Sequence, residues 1–189
     1  MLYLVTGGCG SGKSEYAEEL VCRLARRDGI AGKLYLATME SDGREAAERI
    51  ARHRRLRQGK GFMTAESPYG FRDSRLPALC PRGKQEDTIV LLECMSNLLA
   101  NLMFSGGMDA GAAAEEILAR TEEARKCYRH IVVVTNEIFS DGSRYTGETE
   151  AYCRALGWVN RFLAENADVF CEVVYSIPVF LKGETACRF

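Results

Sequence analysis

The stretch GGCGSGKS at residues 7–14 fits the pattern G-x-x-x-x-G-K-S without a gap. It directly follows the apolar run LYLVT at residues 2–6 and directly precedes a segment with helical periodicity. A strand, a glycine-rich turn and a helix in this order form a phosphate-binding loop, or P-loop. The glycines allow backbone N–H groups to point at phosphate oxygens, and the following helix presents the positive end of its dipole to the same anion. The stretch therefore predicts a site for a nucleoside triphosphate.

Two side chains of this P-loop are predicted to act on the phosphates. We expect Lys13 to be catalytic, reaching the β- and γ-phosphates as a mobile charge, and the Ser14 hydroxyl to bind Mg²⁺. The nucleotide-binding residues of the loop are predicted to be Gly7, Gly8, Cys9, Gly10, Ser11, Gly12, Lys13 and Ser14. The alternative, a glycine-rich turn that only joins a strand to a helix, is weaker because the motif is complete and both flanks fit. The motif alone does not indicate which reaction takes place.

Short apolar runs alternate with helical patterns along the rest of the chain. The predicted strands are Leu2–Thr6, Lys33–Thr38, Thr88–Glu93, Ile131–Asn136 and Val169–Ser176. The predicted helices are Lys13–Arg26, Arg44–Gln58, Ala110–Tyr128 and Thr149–Asn166, and residues 67–87 are predicted to form helical turns or loops. This alternation favours an α/β fold, with a mainly parallel sheet flanked by helices, in a single domain over residues 1–189.

Composition and charge exclude several classes of protein. The chain has 189 residues, 47% of them hydrophobic and 27% charged, which is typical of one soluble globular domain. A net charge of −1 provides no basic field for a nucleic acid or an anionic membrane. No signal peptide or membrane-spanning run is apparent, so we expect a cytoplasmic protein. The eight cysteines are scattered without a C-x-x-C pair, which favours reduced thiols over a zinc site.

An acidic residue at the end of a neighbouring strand is expected to complete the metal site with Ser14. Glu93, in TIVLLE, follows an apolar run and can bind Mg²⁺ directly or through water. Glu137, in VVVTNE, is the other candidate for this acidic metal ligand. A solvated glutamate with no such role is the alternative for either residue.

The basic segment RIARHRRLR at residues 49–57 surrounds His53 with arginines. Neighbouring positive charges disfavour the imidazolium, which leaves a neutral and nucleophilic ring. Such a ring, beside guanidinium groups that hold phosphate oxygens, could attack an α-phosphate and displace pyrophosphate. The alternative is a solvated basic face with an incidental histidine. The other histidine, His130, precedes a strand and is interpreted as structural.

The sequence resembles the bifunctional adenosylcobinamide kinase / adenosylcobinamide-phosphate guanylyltransferase family. The segments that carry the resemblance occur in the family's order and span nearly the whole chain: LVTGGCGSGKS, YLATMESDGREAAERIARHR, TAESP, LLECMSNLLANLMF, VVVTNE, NRFLAENAD and IPVFLKG. The P-loop is common to many families, whereas Y-L-A-T followed by R-I-x-x-H-R is far more specific.

The resemblance implies two reactions in the biosynthesis of adenosylcobalamin (vitamin B12). ATP or GTP phosphorylates adenosylcobinamide, and GTP then guanylylates His53, which passes GMP to adenosylcobinamide phosphate. It also implies a recombinase-ATPase-like P-loop fold and a homotrimer. Beyond the P-loop and His53, the implied nucleotide-binding residues are Ala37, Thr38, Met39, Arg54, Arg55, Leu56, Arg57, Glu66 and Glu93. Ser14 and Glu93, assigned above from the P-loop and the strand end, stay the predicted metal ligands. Either Glu66 or Glu93 could read guanine, and the choice stays open.

One segment departs from the family pattern. After Glu137 the chain reads IFSDGSRYTGETEAYCRALGWVN, where many members carry a glycine-rich segment and an arginine. Ordinary divergence of a surface loop is the favoured interpretation, although altered corrinoid binding is the alternative. Two other functions stay open as well: a P-loop kinase without a covalent GMP intermediate, and a nucleotide-gated assembly module. The second would need a DNA-binding loop, and one short basic cluster is a poor candidate for it.

Overall fold

The computed structural model describes residues 1–40, 51, 54, 55, 57–140, 142 and 144–183. In this part of the chain the strands are β1 (Leu2–Thr6), β2 (Gly32–Ala37), β3 (Met63–Glu66), β4 (Thr88–Glu93), β5 (His130–Val134), β6 (Val169–Val174) and β7 (Ile177–Lys182). The α-helices are α1 (Lys13–Asp28), α2 (Met95–Ala100), α3 (Ala110–Cys127) and α4 (Gly147–Asn166). A π-helical turn at Asn101–Ser105 continues α2. Four short 3₁₀ segments occupy Gly70–Arg72, Leu76–Leu79, Pro81–Gly83 and Gln85–Asp87.

The strands form one sheet in the order β3-β2-β4-β5-β1-β6-β7. All neighbouring pairs are parallel except β6 and β7, which are antiparallel. β1, β4 and β5 lie in the interior and are covered on both faces, which explains their uninterrupted apolar sequences. The carboxyl ends of the six parallel strands therefore meet at one edge, and the P-loop follows β1 at that edge.

Each face of the sheet carries its own core. Tyr3, Val5 and Leu91 belong to the core under α1, to which that helix contributes Leu20 and Leu24. The opposite core is covered by α3 and α4 together with the α2 segment. Because successive strand residues point to opposite faces, the same apolar run supplies both cores. The α1 core thus holds the helix whose first turn forms part of the P-loop.

The length of α1 is defined by a glycine at each end. Gly12 precedes the helix with φ 91°, and Gly29 ends it with φ 65° while its N–H bonds to the Ala25 carbonyl. A left-handed residue at the carboxyl end of a helix satisfies carbonyls that would otherwise lack partners. The helix extends two residues beyond the predicted end at Arg26 for this reason.

The predicted mainly parallel α/β fold is confirmed, and β1 and β4 have the predicted bounds. The turns predicted for residues 67–87 are also confirmed as 3₁₀ segments. Of the helix predicted at Arg44–Gln58, the described residues 51, 54, 55 and 57 are helical, Gln58 lies in a turn, and the other residues lie outside the described part of the chain.

Three elements were missed by the sequence prediction. β3 is an edge strand of four residues, too short and too polar to show a clear pattern. β7 contains Pro178 and pairs only with β6, as expected for a proline in an edge strand. α2 begins directly after β4, so its apolar residues merge with those of the strand. Among the described residues, no helix combines the length and apolar character that crossing a bilayer requires.

Candidate active site

The P-loop is closely packed against the hairpin formed by β6 and β7. A Cβ atom at Gly12 would overlap the hydroxyl of Ser176, and the Ser176 N–H donates a 2.8 Å hydrogen bond to the Ser11 carbonyl. A Cβ atom at Gly7 would lie 2.6 Å from the Val173 carbonyl oxygen. Both glycines are therefore required by close approach of the backbone as well as by their positive φ angles.

Lys13 lies at the first position of α1, with its side chain folded over the loop. The side-chain Nζ donates a 2.9 Å hydrogen bond to the Gly8 carbonyl, and Lys13 is only 8% exposed. This contact keeps the ammonium group above the loop, where the P-loop motif places the phosphates. The predicted catalytic lysine is thus positioned over the predicted phosphate cradle.

Ser14 and Glu93 join the first turn of α1 to the carboxyl end of β4. The Ser14 hydroxyl donates a 2.8 Å hydrogen bond to Oε1 of Glu93. Glu137, the rival acidic residue, instead accepts a 2.7 Å hydrogen bond from the Phe139 N–H. The geometry therefore brings together the two residues that were predicted to bind the metal.

Glu93 is the most perturbed carboxyl group of this region. Burial raises its pKa to about 7, although the hydrogen bond from Ser14 and the charge of Lys13 act in the opposite direction. Its second oxygen, Oε2, is buried and has no hydrogen-bond partner among the described residues. A buried and unpartnered carboxylate oxygen is costly unless a cation or another donor completes the site.

These donors fit Mg²⁺. The ion prefers oxygen ligands, and the Ser14 hydroxyl with the open Glu93 oxygen supplies two at one position. Among the described residues, no three His, Cys, Asp or Glu side chains gather to form a protein-only metal site. Mg²⁺ commonly takes one or two protein ligands and completes its shell with water and phosphate oxygens.

Arg57 is a buried cation on the same face of the sheet as α1. Its guanidinium carbon lies 3.6 Å from the centroid of the Tyr35 ring, and the residue is 7% exposed. Nε and Nη1 are buried without a hydrogen-bond partner among the described residues. The positive charge is close enough to lower the pKa of Glu93. A buried guanidinium with open donors can bind a phosphate group with little rearrangement.

The segment that carries Arg57 is attached to α1 by a partly buried ion pair. Lys60 Nζ lies 2.6 Å from Glu18 Oε2, and Glu18 is 1% exposed. Lys60 also accepts a 2.5 Å hydrogen bond from Lys33 Nζ through its carbonyl. The chain at Lys60 therefore lies against the P-loop helix.

Glu66 ends β3 and lies in the same row of the sheet as Glu93. Ala37 is the register partner of both residues, so all three point to one face. Glu66 is partly exposed and forms a 2.6 Å ion pair with Arg54. It also lines an open cleft of about 420 Å³ together with Tyr69 and Arg72. Unlike Glu93, Glu66 can therefore reach a ligand from solvent.

The other residues predicted to bind nucleotide differ in their accessibility. The Thr38 hydroxyl is fully buried and exchanges hydrogen bonds with the N–H and carbonyl of Cys94, so its effect on a ligand is indirect. Ala37 and Met39 are half-buried, while Cys9, Gly10, Arg54 and Arg55 are exposed. Ser11 has a buried hydroxyl that lacks a partner among the described residues. His53 and Leu56 lie outside the described residues.

Hydrogen bonds between polar side chains form a network behind the P-loop. The sequence analysis did not predict this network. The Asn136 amide donates to the Ser96 hydroxyl at 2.6 Å, and the Thr135 hydroxyl donates to Asn160 Oδ1 at 2.7 Å. Tyr152 donates to the Ser96 carbonyl at 3.1 Å. The sequence feature that could have predicted this network is the set of polar residues that directly follow the buried strands β4 and β5. The network fixes the chain where β5 ends beside the P-loop.

His130 lies at the other end of the sheet, at the start of β5. Its Nε2 is 2.7 Å from Asp28 Oδ2, and the residue is 4% exposed. Burial lowers the pKa of His130, while Asp28 opposes that change. This placement agrees with the structural role expected for His130.

The P-loop follows β1, and β5 lies between β1 and the strand that carries Glu93. These two features define a P-loop NTPase of the α/β class. Among solved structures, the KaiC-like protein PH0186 from Pyrococcus horikoshii OT3 has a TM-score of 0.51 and 15% sequence identity. The similarity covers 90% of this chain and 69% of that protein. It confirms the predicted fold class.

The family model for cobinamide kinase / cobinamide phosphate guanyltransferase matches residues 3–181. The bifunctional adenosylcobalamin biosynthesis protein CobU of Escherichia coli K12 is 31% identical over 193 residues, covering 96% of this chain and 100% of that protein. The protein of the same name from Salmonella typhimurium LT2 is 32% identical over 195 residues with the same coverage. The chain belongs to the cobinamide kinase / cobinamide phosphate guanyltransferase family. The predicted family and enzyme class are thereby confirmed.

Proposed function

We propose that this chain phosphorylates adenosylcobinamide and then converts the product to adenosylcobinamide-GDP. In the first reaction a nucleoside triphosphate donates its γ-phosphoryl group to the aminopropanol hydroxyl. In the second, GTP transfers GMP to His53, and the phosphate of adenosylcobinamide phosphate displaces the histidine. A single domain over residues 1–189 carries both reactions in this proposal.

The observation that carries the proposal is the pair of buried cations beside the P-loop. Lys13 is held over the loop by the Gly8 carbonyl, and Arg57 has two buried donors that lack partners among the described residues. A simple kinase needs the lysine for the β- and γ-phosphates. A second buried cation on the α1 face favours a site where charge also develops on the α-phosphate.

His53 is proposed as the nucleophile of the guanylyl transfer. One of its ring nitrogens bonds to the α-phosphorus of GTP, the bond from that phosphorus to the bridging oxygen breaks, and pyrophosphate leaves. A phosphate oxygen of the corrinoid then bonds to the α-phosphorus as the nitrogen–phosphorus bond breaks. Arg54, Arg55 and Arg57 stabilise the charge on the transferred group. Leu56 belongs to the same proposed nucleotide-binding stretch.

Glu66 is proposed as the residue that reads guanine. A carboxylate can accept hydrogen bonds from both N1–H and the exocyclic amine of the base. Glu66 is accessible and borders a cleft large enough for a purine, whereas Glu93 is buried against Ser14. Ala37, which lies in register with both acids, and the following Thr38 and Met39 belong to the same proposed nucleotide site.

Glu93 and Ser14 are proposed to hold Mg²⁺. When bound there, the ion offsets negative charge on the phosphate groups. ATP or GTP serves the kinase step, and GTP serves the guanylyl step. We further propose a cytoplasmic location and a homotrimer, of which the family resemblance implies the homotrimer.

Intact-mass spectrometry after incubation with GTP and Mg²⁺ tests the proposed function. We expect a GMP adduct that is lost in acid, stable in base and absent from a His53→Ala variant. The matched control is Arg120→Lys, an exposed change on α3, which should still form the adduct. A wild-type protein that binds GTP but forms no adduct would contradict the guanylyl step and favour a kinase without a covalent intermediate.

A further inference from the structure

Glu137 lies beside the P-loop but does not take part in the Ser14–Glu93 pair. Its strand, β5, pairs with β1 on one side and with β4 on the other. The residues that follow β5 therefore lie between the P-loop and Glu93. The Glu137 N–H donates a 3.2 Å hydrogen bond to the carbonyl of Gly7, the first residue of the P-loop. This contact fixes the backbone of Glu137 against the start of the phosphate cradle.

The Glu137 carboxylate is held by one oxygen and open at the other. Oε1 accepts the 2.7 Å hydrogen bond from the Phe139 N–H. No other hydrogen bond or ion pair joins this carboxylate to the described residues, and the side chain is half-buried. Glu93 differs in both respects, because it is buried and bonded to Ser14. Two carboxylates in such different surroundings at one strand edge are suited to different tasks.

The kinase reaction needs a group that accepts a proton. The corrinoid hydroxyl oxygen bonds to the γ-phosphorus, the bond to the β–γ bridging oxygen breaks, and the nucleoside diphosphate leaves. The hydroxyl proton must pass to a base during this transfer. The guanylyl transfer has no such need, because its two acceptors are the lone pair of a neutral imidazole nitrogen and an ionised phosphate oxygen.

The position of the γ-phosphate follows from the P-loop. The loop and the start of α1 take the α- and β-phosphates, while Lys13 reaches the β- and γ-phosphates. The γ-phosphate therefore faces the ends of β1, β5 and β4, and an acceptor in line with the leaving group approaches from that side. Gly7 and Glu137 lie there in contact with each other.

We propose that Glu137 is the catalytic base of the kinase step, accepting the hydroxyl proton of the corrinoid on its open oxygen as the γ-phosphoryl group is transferred. This assignment rests on the proposed function and adds a residue to it. The hydrogen bond to Phe139 orients the carboxylate, and Glu93 remains available for the metal.

The decisive experiment compares Glu137→Gln with wild type in the two half-reactions. Glutamine keeps an oxygen that can accept from Phe139 N–H but cannot take a proton. We expect the kinase kcat to fall about 10²- to 10⁴-fold, while the KM for the nucleotide stays within about twofold. Guanylyl transfer, assayed with preformed adenosylcobinamide phosphate, should keep most of its rate. Glu115→Gln, a change at an exposed position of α3, is the matched control and should preserve both rates.

A second variant separates catalysis from a structural role. Glu137→Ala should lose the kinase rate and regain part of it when formate is added, because a small carboxylate can occupy the vacated position. An unchanged kinase rate in Glu137→Gln, or an equal fall in both half-reactions, would overturn the assignment. Wild-type protein that phosphorylates no adenosylcobinamide with ATP or GTP would overturn the proposed function as well, and this result is visible without any variant.

Discussion

Ser14 and Glu93 are 79 positions apart in the sequence, and the hydroxyl of one donates a 2.8 Å hydrogen bond to the carboxyl group of the other. The bond joins the first turn of the P-loop helix to the end of β4. It leaves one buried oxygen of Glu93 without a partner among the described residues. Ionisation of Glu93 is therefore unfavourable in the ligand-free protein. The pH dependence of stability and the release of a proton on metal binding both test this.

Replacing Glu93 with glutamine should stabilise the ligand-free protein at alkaline pH. Burial raises the pKa of Glu93 from 4.5 to about 7, so the folded state binds this proton more tightly than the unfolded state. The resulting stability is present below pH 4.5 and is lost as pH rises through about 7. We compare the free energy of unfolding of Glu93→Gln with that of the wild type at each pH. The difference, variant minus wild type, should be larger at pH 8 than at pH 5 by about 1–3 kcal/mol. Urea unfolding at the two pH values measures this difference.

The control for that experiment is Glu148→Gln, which removes an exposed carboxylate at the start of α4. Its stability relative to wild type should be the same at both pH values. A constant difference for Glu93→Gln as well would show that the Glu93 carboxyl group ionises normally in the folded protein.

Binding of Mg²⁺ with GTP should release a proton from Glu93. A metal ligand must be ionised, and the raised pKa keeps this carboxyl group largely protonated at pH 6. Calorimetry in two buffers of different ionisation enthalpy should detect up to one proton released at pH 6 and almost none at pH 8. Chelation of the metal, or the Glu93→Gln change, should abolish the release. Equal release at both pH values would exclude Glu93 as its source.

Substitution of Arg57 by lysine should slow formation of the GMP adduct. Lysine keeps the charge but loses both the stacking on Tyr35 and the planar set of donors. We expect a fall of about 10²- to 10³-fold in a single turnover with GTP, comparable to the loss of one preorganised donor. Quench-flow with mass detection measures the rate. Arg120→Lys, an exposed change on α3, should not alter it, and an unaffected rate in Arg57→Lys would remove Arg57 from the site.

Two glycines of the P-loop should respond differently to alanine. Gly12 has φ 91° and contacts Ser176, whereas Gly10 has φ 72° and open space around its Cα. Both substitutions incur a left-handed backbone cost of about 1–2 kcal/mol. Gly12→Ala adds steric overlap, worth about a further 1–3 kcal/mol. Chemical denaturation should therefore find Gly12→Ala clearly less stable than Gly10→Ala, and equal losses would argue against close packing of the hairpin on the loop.

The parts of the fold that could be predicted are those with strong local patterns. β1, β4 and β5 are buried on both faces, so each shows an uninterrupted apolar run. The edge strands β3 and β7 could not be predicted in the same way, because partial exposure permits polar residues and a proline. α2 was obscured because it starts directly after the apolar strand β4.

The candidate site was predictable only where residues are contiguous in the sequence. The P-loop motif identified Lys13 and Ser14 because the phosphate cradle is built from one turn of the chain. Pattern alone favoured Glu93 for the metal but left Glu137 as an alternative, since both follow apolar strands. Only the order of strands, with β5 between β1 and β4, places Glu93 against Ser14 and Glu137 against Gly7.

The sequence by itself determined the phosphate cradle, the parallel α/β class and the family, because these depend on local spacing and on the order of motifs. Tertiary structure decided which acid is buried, which arginine is left with open donors and which carboxylate stays accessible. Those properties depend on burial and on distances between segments far apart in the chain. Charge and hydrogen-bonding energies change steeply with both, so residues of the same type acquire different chemistry.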